Sequence, residues 1–242
     1  MSTPPTIERW DEPAGANPRG TLIVLAGRGE SPVVYSRFGR RLSADAYRVR
    51  AVRDVTDNVT QSLQLVRDLV AQSDAGPVVV IGSDAGAVLA LRLASDPRSG
   101  VAAVVTAGLP SGSGLIADEQ SQLEARSACP VHRLVLTDRS AIDPTALSRD
   151  LPANLTLPRP ETIGVPLLAF HGADDLVATP SQAISYYDEV PGSRVAIVHE
   201  GRHDILNDVS HRSVAATIVL FLEQLRNGGV PTLQFATEAA RA

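Results

Sequence analysis

Short apolar runs separated by longer amphipathic stretches set the rhythm of the chain. The runs Thr21–Leu25, Tyr47–Val52, Pro77–Ile81, Val101–Thr106, Val165–Phe170 and Val195–Val198 are rich in Val, Ile and Leu, as strands buried on both faces are. Between them, Tyr35–Ala44, Val59–Gln72, Ala85–Ser95, Pro180–Val190 and Ile205–Arg226 repeat their apolar residues at helical spacing. This alternation predicts a mostly parallel, doubly wound α/β sheet covered on both faces. Thr6–Asp11, followed by the turn-rich Glu12–Gly20, fits an antiparallel edge strand leading into the first core strand. No internal repeat is visible.

One region departs from the alternation. From Leu109 to Gly164 the sequence has Gly/Ser-rich turns, a polar helical pattern near Ala117–Ser127, and a proline-rich exit through Pro152, Pro158, Pro160 and Pro166. A break of this kind after a sheet strand predicts a lid insertion over residues 109–164 within one domain spanning 1–242. The tail from Asn227-Gly228-Gly229 reads as a helix stop followed by an apolar patch, Val230–Phe235. That patch either packs back or meets a second copy in a homo-oligomer.

With 242 residues, 44% of them apolar, the chain has enough material for one sizeable core. Its 22 basic and 27 acidic residues are mixed, with no basic stripe interleaved with aromatics, which argues against nucleic acid as a partner. The single cysteine, Cys129, provides neither an internal disulfide nor zinc-type spacing, so a reducing compartment and no metal are expected. No apolar run has the length of a membrane span, and the Met1–Pro5 start lacks the pattern of a secretion signal. The expectation is a cytoplasmic protein that acts on a small molecule without a cofactor.

The chemistry is concentrated at one turn. Val78–Ile81 runs into Gly82-Ser83-Asp84-Ala85-Gly86, a Gly-x-X-x-Gly pattern between a buried strand and a helix. The glycines permit a tight turn whose central residue projects outward as a nucleophile, here Asp84. Two later strand ends carry His171-Gly172-Ala173-Asp174-Asp175 and Gly201-Arg202-His203-Asp204. Nucleophile, acid and histidine thus follow in the order a triad on such a sheet requires, with Asp84, Asp175 and His203 in those roles and Asp174 as the competing acid. After the first core strand, Gly27-Arg28-Gly29-Glu30 supplies glycines that allow close backbone approach. The N–H groups of Arg28 and Ala85 are the candidate oxyanion donors, and Gly27, Gly29 and His132 the candidate substrate contacts.

These motifs resemble the α/β-hydrolase superfamily. Gly27-Arg28-Gly29-Glu30 with Tyr35 looks like the His-Gly-x-Gly-Glu opening of monoacylglycerol lipase and lysophospholipase relatives, and His203–Asp208 is similar to their His-Glu-Leu-Leu-Asn-Glu ending. Ala26 replaces their histidine, and Asp84 replaces their serine. The resemblance implies the α/β-hydrolase fold, and in that superfamily an aspartate at the elbow marks epoxide hydrolases and haloalkane dehalogenases. The chemistry agrees: a carboxylate attacking an ester carbonyl forms an uphill anhydride, whereas attack on an sp3 carbon forms an alkyl ester that activated water can cleave. Dehalogenases of this type hold the halide with a tryptophan after the nucleophile, but that position is Ala85, and the only tryptophan is Trp10. Related epoxide hydrolases use lid tyrosines, yet Tyr35, Tyr47, Tyr186 and Tyr187 all lie outside 109–164. Arg28, Arg126, His132 and Arg133 are the substitute donors. Two other readings stay open: general-base catalysis by Asp84 and His203, and a hydrolase scaffold that binds a ligand without turnover.

Overall fold

A computed structural model of the chain describes residues 7–110, 116 and 118–233. Seven strands form one sheet: β1 (Ile7–Trp10), β2 (Gly20–Leu25), β3 (Tyr47–Val52), β4 (Val78–Ser83), β5 (Ala103–Ala107), β6 (Leu167–Gly172) and β7 (Arg194–Val198). Their order is β1-β3-β2-β4-β5-β6-β7, and every pairing is parallel except that of β1 with β3. Position along the sheet explains the sequence pattern. β2, β4, β5 and β6 are buried at every residue and read as continuous apolar runs, whereas β3 alternates buried Tyr47, Val49 and Ala51 with half-buried Arg48 and Arg50.

Helices cover both faces. α1 (Ser36–Ala44) and α7 (His211–Arg226) pack on one face through Phe38, Leu42, Ile218 and Leu222. α2 (Val59–Ala71), α3 (Ala85–Ala94) and α6 (Pro180–Asp188) pack on the other through Val66, Leu89, Ala183 and Tyr187. α3 is buried nearly all round, because it crosses the centre of the sheet behind β4. Strand ends shift from the sequence reading by one or two residues. β5 begins at Ala103 rather than Val101, and β4 and β6 each run two residues further.

The larger correction is at α7, which starts at His211 and not at Ile205. Ile205–Ser210 forms turns, because Asp208 uses its carboxylate on the backbone N–H groups of Ala128, Cys129 and Arg202. His211 is half-buried at the first turn of α7. His199, just after β7, is exposed. The β5–β6 connection holds α4 (Glu119–Arg126), which the polar pattern predicted, and α5 (Pro130–Leu136), which it did not. Two single 3-10 turns follow, at Ala146–Ser148 and Pro160–Thr162. Thr6, Ala117 and the end of the Val230–Phe235 patch lie outside the described residues. Among the described residues no helix is long and apolar enough to cross a membrane.

Candidate active site

Four strand ends converge on Asp84. The residue follows β4 with φ 48° and ψ −118°, a conformation that non-glycine residues adopt at a cost of about 1–3 kcal/mol. The turn closes only because its glycines lack side chains. A Cβ on Gly82 would lie 2.3 Å from the Gly86 carbonyl oxygen, and one on Gly86 would lie 2.3 Å from that of Leu25. The Asp84 N–H donates to the Ala107 carbonyl at the end of β5, which fixes the turn against the sheet.

The acid and the histidine arrive from β6 and β7. His203 Nδ1 lies 2.8 Å from Asp175 Oδ2, whose other oxygen accepts the N–H groups of Val177 and Ala178. Asp174 is exposed, so Asp175 is the carboxylate at the histidine. His171, fully buried, adds a second contact at 3.2 Å to Asp175 Oδ2 and is hydrogen-bonded to the Ala178 carbonyl. On its other side, His203 Nε2 sits 3.3 Å from Asp84 Oδ1 without hydrogen-bond alignment, so the two meet as charges.

Arg28, on the turn after β2, takes the rest of the Asp84 carboxylate. Its backbone N–H donates to Oδ2 at 2.9 Å, its Nε to Oδ2 at 2.8 Å and its Nη2 to Oδ1 at 3.0 Å. A bidentate fork of this kind is the strongest carboxylate contact a side chain makes. Its Nη1 donates to the Arg149 carbonyl, which ties the fork to the β5–β6 connection. The hydrogen bonds described to the Asp84 carboxylate thus come from Arg28 alone. The Ala85 N–H, the other candidate oxyanion donor, takes no part in them.

The electrostatics follow from this packing. Burial opposes ionisation of Asp84, but the Arg28 guanidinium and His203 outweigh it and hold the carboxyl well below its usual range. Burial also opposes charging of His203, yet Asp175 and then Asp84 push it up to about 10. At neutral pH the centre is therefore an imidazolium between two carboxylates, with a guanidinium beyond.

Behind Arg28 lies a second buried polar cluster. Arg126, 1% exposed at the end of α4, donates to the Arg28 carbonyl at 2.6 Å and to Glu30 Oε1 at 3.1 Å, and its Nη1 lies 3.4 Å from Asp204 Oδ1. His132 on α5 contacts Asp204 Oδ2 at 3.1 Å, so this candidate substrate contact is buried against Asp204. Glu30 Oε2 accepts from the Gly27 N–H and from the Tyr35 hydroxyl. Burial, then the nearby Asp204, raises the Glu30 carboxyl to about 8. Gly27 lies against Asp84, where its missing Cβ would be 3.3 Å from that of Asp84. Gly29 takes φ +75° and donates to Asp54 Oδ2, facing away from the Asp84 carboxylate.

Solved structures of similar fold match over nearly the whole chain. MenH from S. aureus matches at TM-score 0.67 and 17% identity, covering 92% of this chain and 99% of its own. A monoglyceride lipase from Saccharomyces cerevisiae matches at TM-score 0.69 and 12% identity, covering 93% and 96%. The fold is that of the α/β-hydrolases. BpoC from Mycobacterium tuberculosis matches at TM-score 0.68 and 18% identity, covering 90% and 95%. At these identities the likeness extends to the fold, and the chemistry rests on the residues above. No protein-family model and no curated relative matches the sequence.

The α/β-hydrolase frame brings Asp84, His203, Asp175, Arg28 and Gly27 together. It places His132 and Gly29 one layer away. Sequence reasoning missed the Arg28–Asp84 fork and the Glu30–Arg126–Asp204 cluster. The available signal was three charged residues beside motifs at strand ends, where full solvation is unavailable. Among the described residues no group of three or more His, Cys, Asp or Glu side chains is arranged to hold a metal ion.

Proposed function

We propose that this chain is a hydrolase that uses Asp84 as a nucleophile at saturated carbon, with epoxides as the substrate class. The carrying observation is the division between the two carboxylate oxygens. Oδ2 is anchored by the Arg28 N–H and Nε, while Oδ1 faces His203 Nε2 and is held otherwise only by one guanidinium nitrogen. A substrate needs to displace that one contact, and the β5–β6 connection tied to Arg28 through Arg149 serves as the lid that moves with it.

Attack by Oδ1 forms an alkyl ester and breaks the ring C–O bond, and the released alkoxide takes the proton held by His203. Asp84 is then a neutral ester, so one of the two carboxylates that keep His203 charged has gone. The imidazole becomes a base and takes a proton from water, whose oxygen adds to the ester carbonyl while Arg28 stabilises the developing oxyanion. Collapse expels the second hydroxyl of the diol with a proton from His203, and the Asp84 carboxylic acid returns its proton to His203. The sum is epoxide plus water giving diol. Asp175 keeps the imidazole in one tautomer throughout.

The same electrostatics weigh against general-base catalysis from the resting site: Asp84 is too weak a base and His203 is already protonated. The Arg28 fork supports one other reading, a ligand-binding protein in which Asp84 is a fixed anion. The deciding experiment is intact-protein mass spectrometry after incubation with epoxides, alkyl halides and activated esters, comparing wild type with His203→Gln. An epoxide adduct mapped to Asp84 is expected, forming more slowly in His203→Gln, where solvent protonates the alkoxide, and persisting there because no base activates water. If no adduct forms and Asp84→Asn retains every activity or ligand affinity of the wild type, the nucleophile assignment is wrong.

A further inference from the structure

Arg28 holds the reacting carboxylate, and its own hydrogen bonds are incomplete. A guanidinium carries five N–H groups in one plane, one on Nε and two on each terminal nitrogen. Three of those on Arg28 are used: that of Nε and one of Nη2 on Asp84, and one of Nη1 on the Arg149 carbonyl. One N–H on Nη1 and one on Nη2 thus have no partner among the described residues. Because Asp84 occupies the Nε–Nη2 edge, the spare Nη2 N–H lies on the adjoining Nη1–Nη2 edge, the other edge on which a guanidinium grips a carboxylate with two parallel bonds. The Arg28 side chain is 7% exposed against 1% for that of Asp84, so it is the more accessible half of the pair. The carboxylates around it are otherwise engaged. Arg126 takes Glu30 and Asp204, His203 and two backbone N–H groups take Asp175, and Asp54 accepts from Gly29 and Thr56.

Covalent chemistry at Asp84 sharpens the shortage. The bond from Nη2 to Oδ1 has to break before Oδ1 attacks, and once the ester has formed Arg28 is left without a carboxylate partner. Taking one partner from a buried ion pair is strongly unfavourable, because the other charge is stranded. We infer, on the reading of Asp84 as the nucleophile, that the substrate brings a carboxylate of its own, which Arg28 binds through Nη1 and Nη2 while its backbone N–H and Nε keep Asp84 Oδ2. The preferred substrates are then epoxides of short carboxylic acids. Nη2 lies 3.0 Å from Oδ1, so the carboxylate sits on the ring or next to it. On the terminal nitrogens it draws Nη2 from Oδ1, frees that oxygen for attack, and stays as the partner of Arg28 for the lifetime of the ester. The bonds made and broken remain those of epoxide hydrolysis, and the substrate carboxylate is unchanged by them. An uncharged epoxide of the same shape leaves the guanidinium without an anion.

Two epoxides of equal size separate charge from shape: racemic glycidate (oxirane-2-carboxylate) and its amide, glycidamide. Wild-type turnover at low substrate concentration, divided by the rate of each epoxide without enzyme, should favour glycidate by at least about tenfold, equivalent to ~1.4 kcal/mol. A second measurement needs no covalent step. Asp84→Asn deprives the guanidinium of its carboxylate, so calorimetric titration with propanoate should give a dissociation constant at least about tenfold lower for this variant than for wild type. Propanamide should show no such gain, and Arg28→Met added to Asp84→Asn should abolish it. If Asp84→Asn does not fold, the wild-type comparison decides alone. Equal corrected rates for the two epoxides, or propanoate binding no tighter to folded Asp84→Asn than to wild type, would overturn the inference, and an adduct of glycidamide on Asp84 would then leave the nucleophile standing without the anion site. The expected propanoate pattern with no adduct from either epoxide would support the anion site on Arg28 and refute the nucleophile.

Discussion

Replacing Arg28 by Met removes the guanidinium from a carboxylate that is 1% exposed, leaving Asp84 with one backbone N–H and the His203 contact. Breaking a buried pair by deleting one partner costs about 3–5 kcal/mol, because the other charge is stranded without water. In a domain of this size that corresponds to a fall in Tm of about 6–20 °C. Asp84→Asn alone strands the guanidinium in turn. The double variant, with an amide beside an apolar side chain, strands neither. Urea denaturation of the four proteins, followed by circular dichroism, should therefore give a double-variant loss smaller than the summed single losses by about 2 kcal/mol or more. Losses that add to within about 0.5 kcal/mol would mean that the fork contributes nothing as a pair, and the account of the resting site would fail.

Further outcomes follow from the same site. His203 is raised from 6.5 to about 10, so the stability it contributes is fully present below about 6.5 and is lost as pH rises through about 10. His203→Gln should flatten that alkaline decline, measured as unfolding free energy from pH 6 to 10; an unchanged slope would contradict a charged His203. Glu30 is raised from 4.5 to about 8, so the folded state holds a proton that the unfolded chain gives up, and stability falls as pH rises between those values. Glu30→Gln should accordingly sit close to wild type near pH 5 and be the more stable of the two by pH 9; the reverse order would refute the raised carboxyl. Gly86→Ala places a Cβ against the Leu25 carbonyl and should destabilise by about 1–3 kcal/mol, whereas Gly164→Ala, with nothing within 4 Å, should be nearly neutral. Thermal melts of the two variants check the packing of the elbow.

The parallel sheet was legible because burial on both faces leaves mostly Val, Ile and Leu in β2 and β4, and because Tyr47-Arg48-Val49-Arg50 shows the alternation of a strand nearer the edge. That Asp84, Asp175 and His203 come together was legible because strand-end motifs in a parallel sheet must meet at one edge. What stayed hidden is set by side chains far apart in sequence. Arg28 and Asp84 are separated by 56 positions, and Arg126 and Glu30 by 96; spacing alone cannot reveal either pairing. The start of α7 was misplaced for a related reason. Ile205 and Leu206 carry helical periodicity, but the demand of Asp208 for backbone N–H groups from 128, 129 and 202 holds the segment in turns. α5 escaped notice because its seven residues are too few for a clear period.

Single turnover in H2(18)O, with enzyme in excess over an epoxide that forms an adduct, tests the central claim most directly. If Asp84 is the nucleophile, water attacks the ester carbonyl, and the peptide containing Asp84 gains one (18)O while the first diol released carries none. Incorporation of (18)O into the diol, with the Asp84 peptide unlabelled, would mean that water attacks the substrate itself and that Asp84 forms no covalent bond.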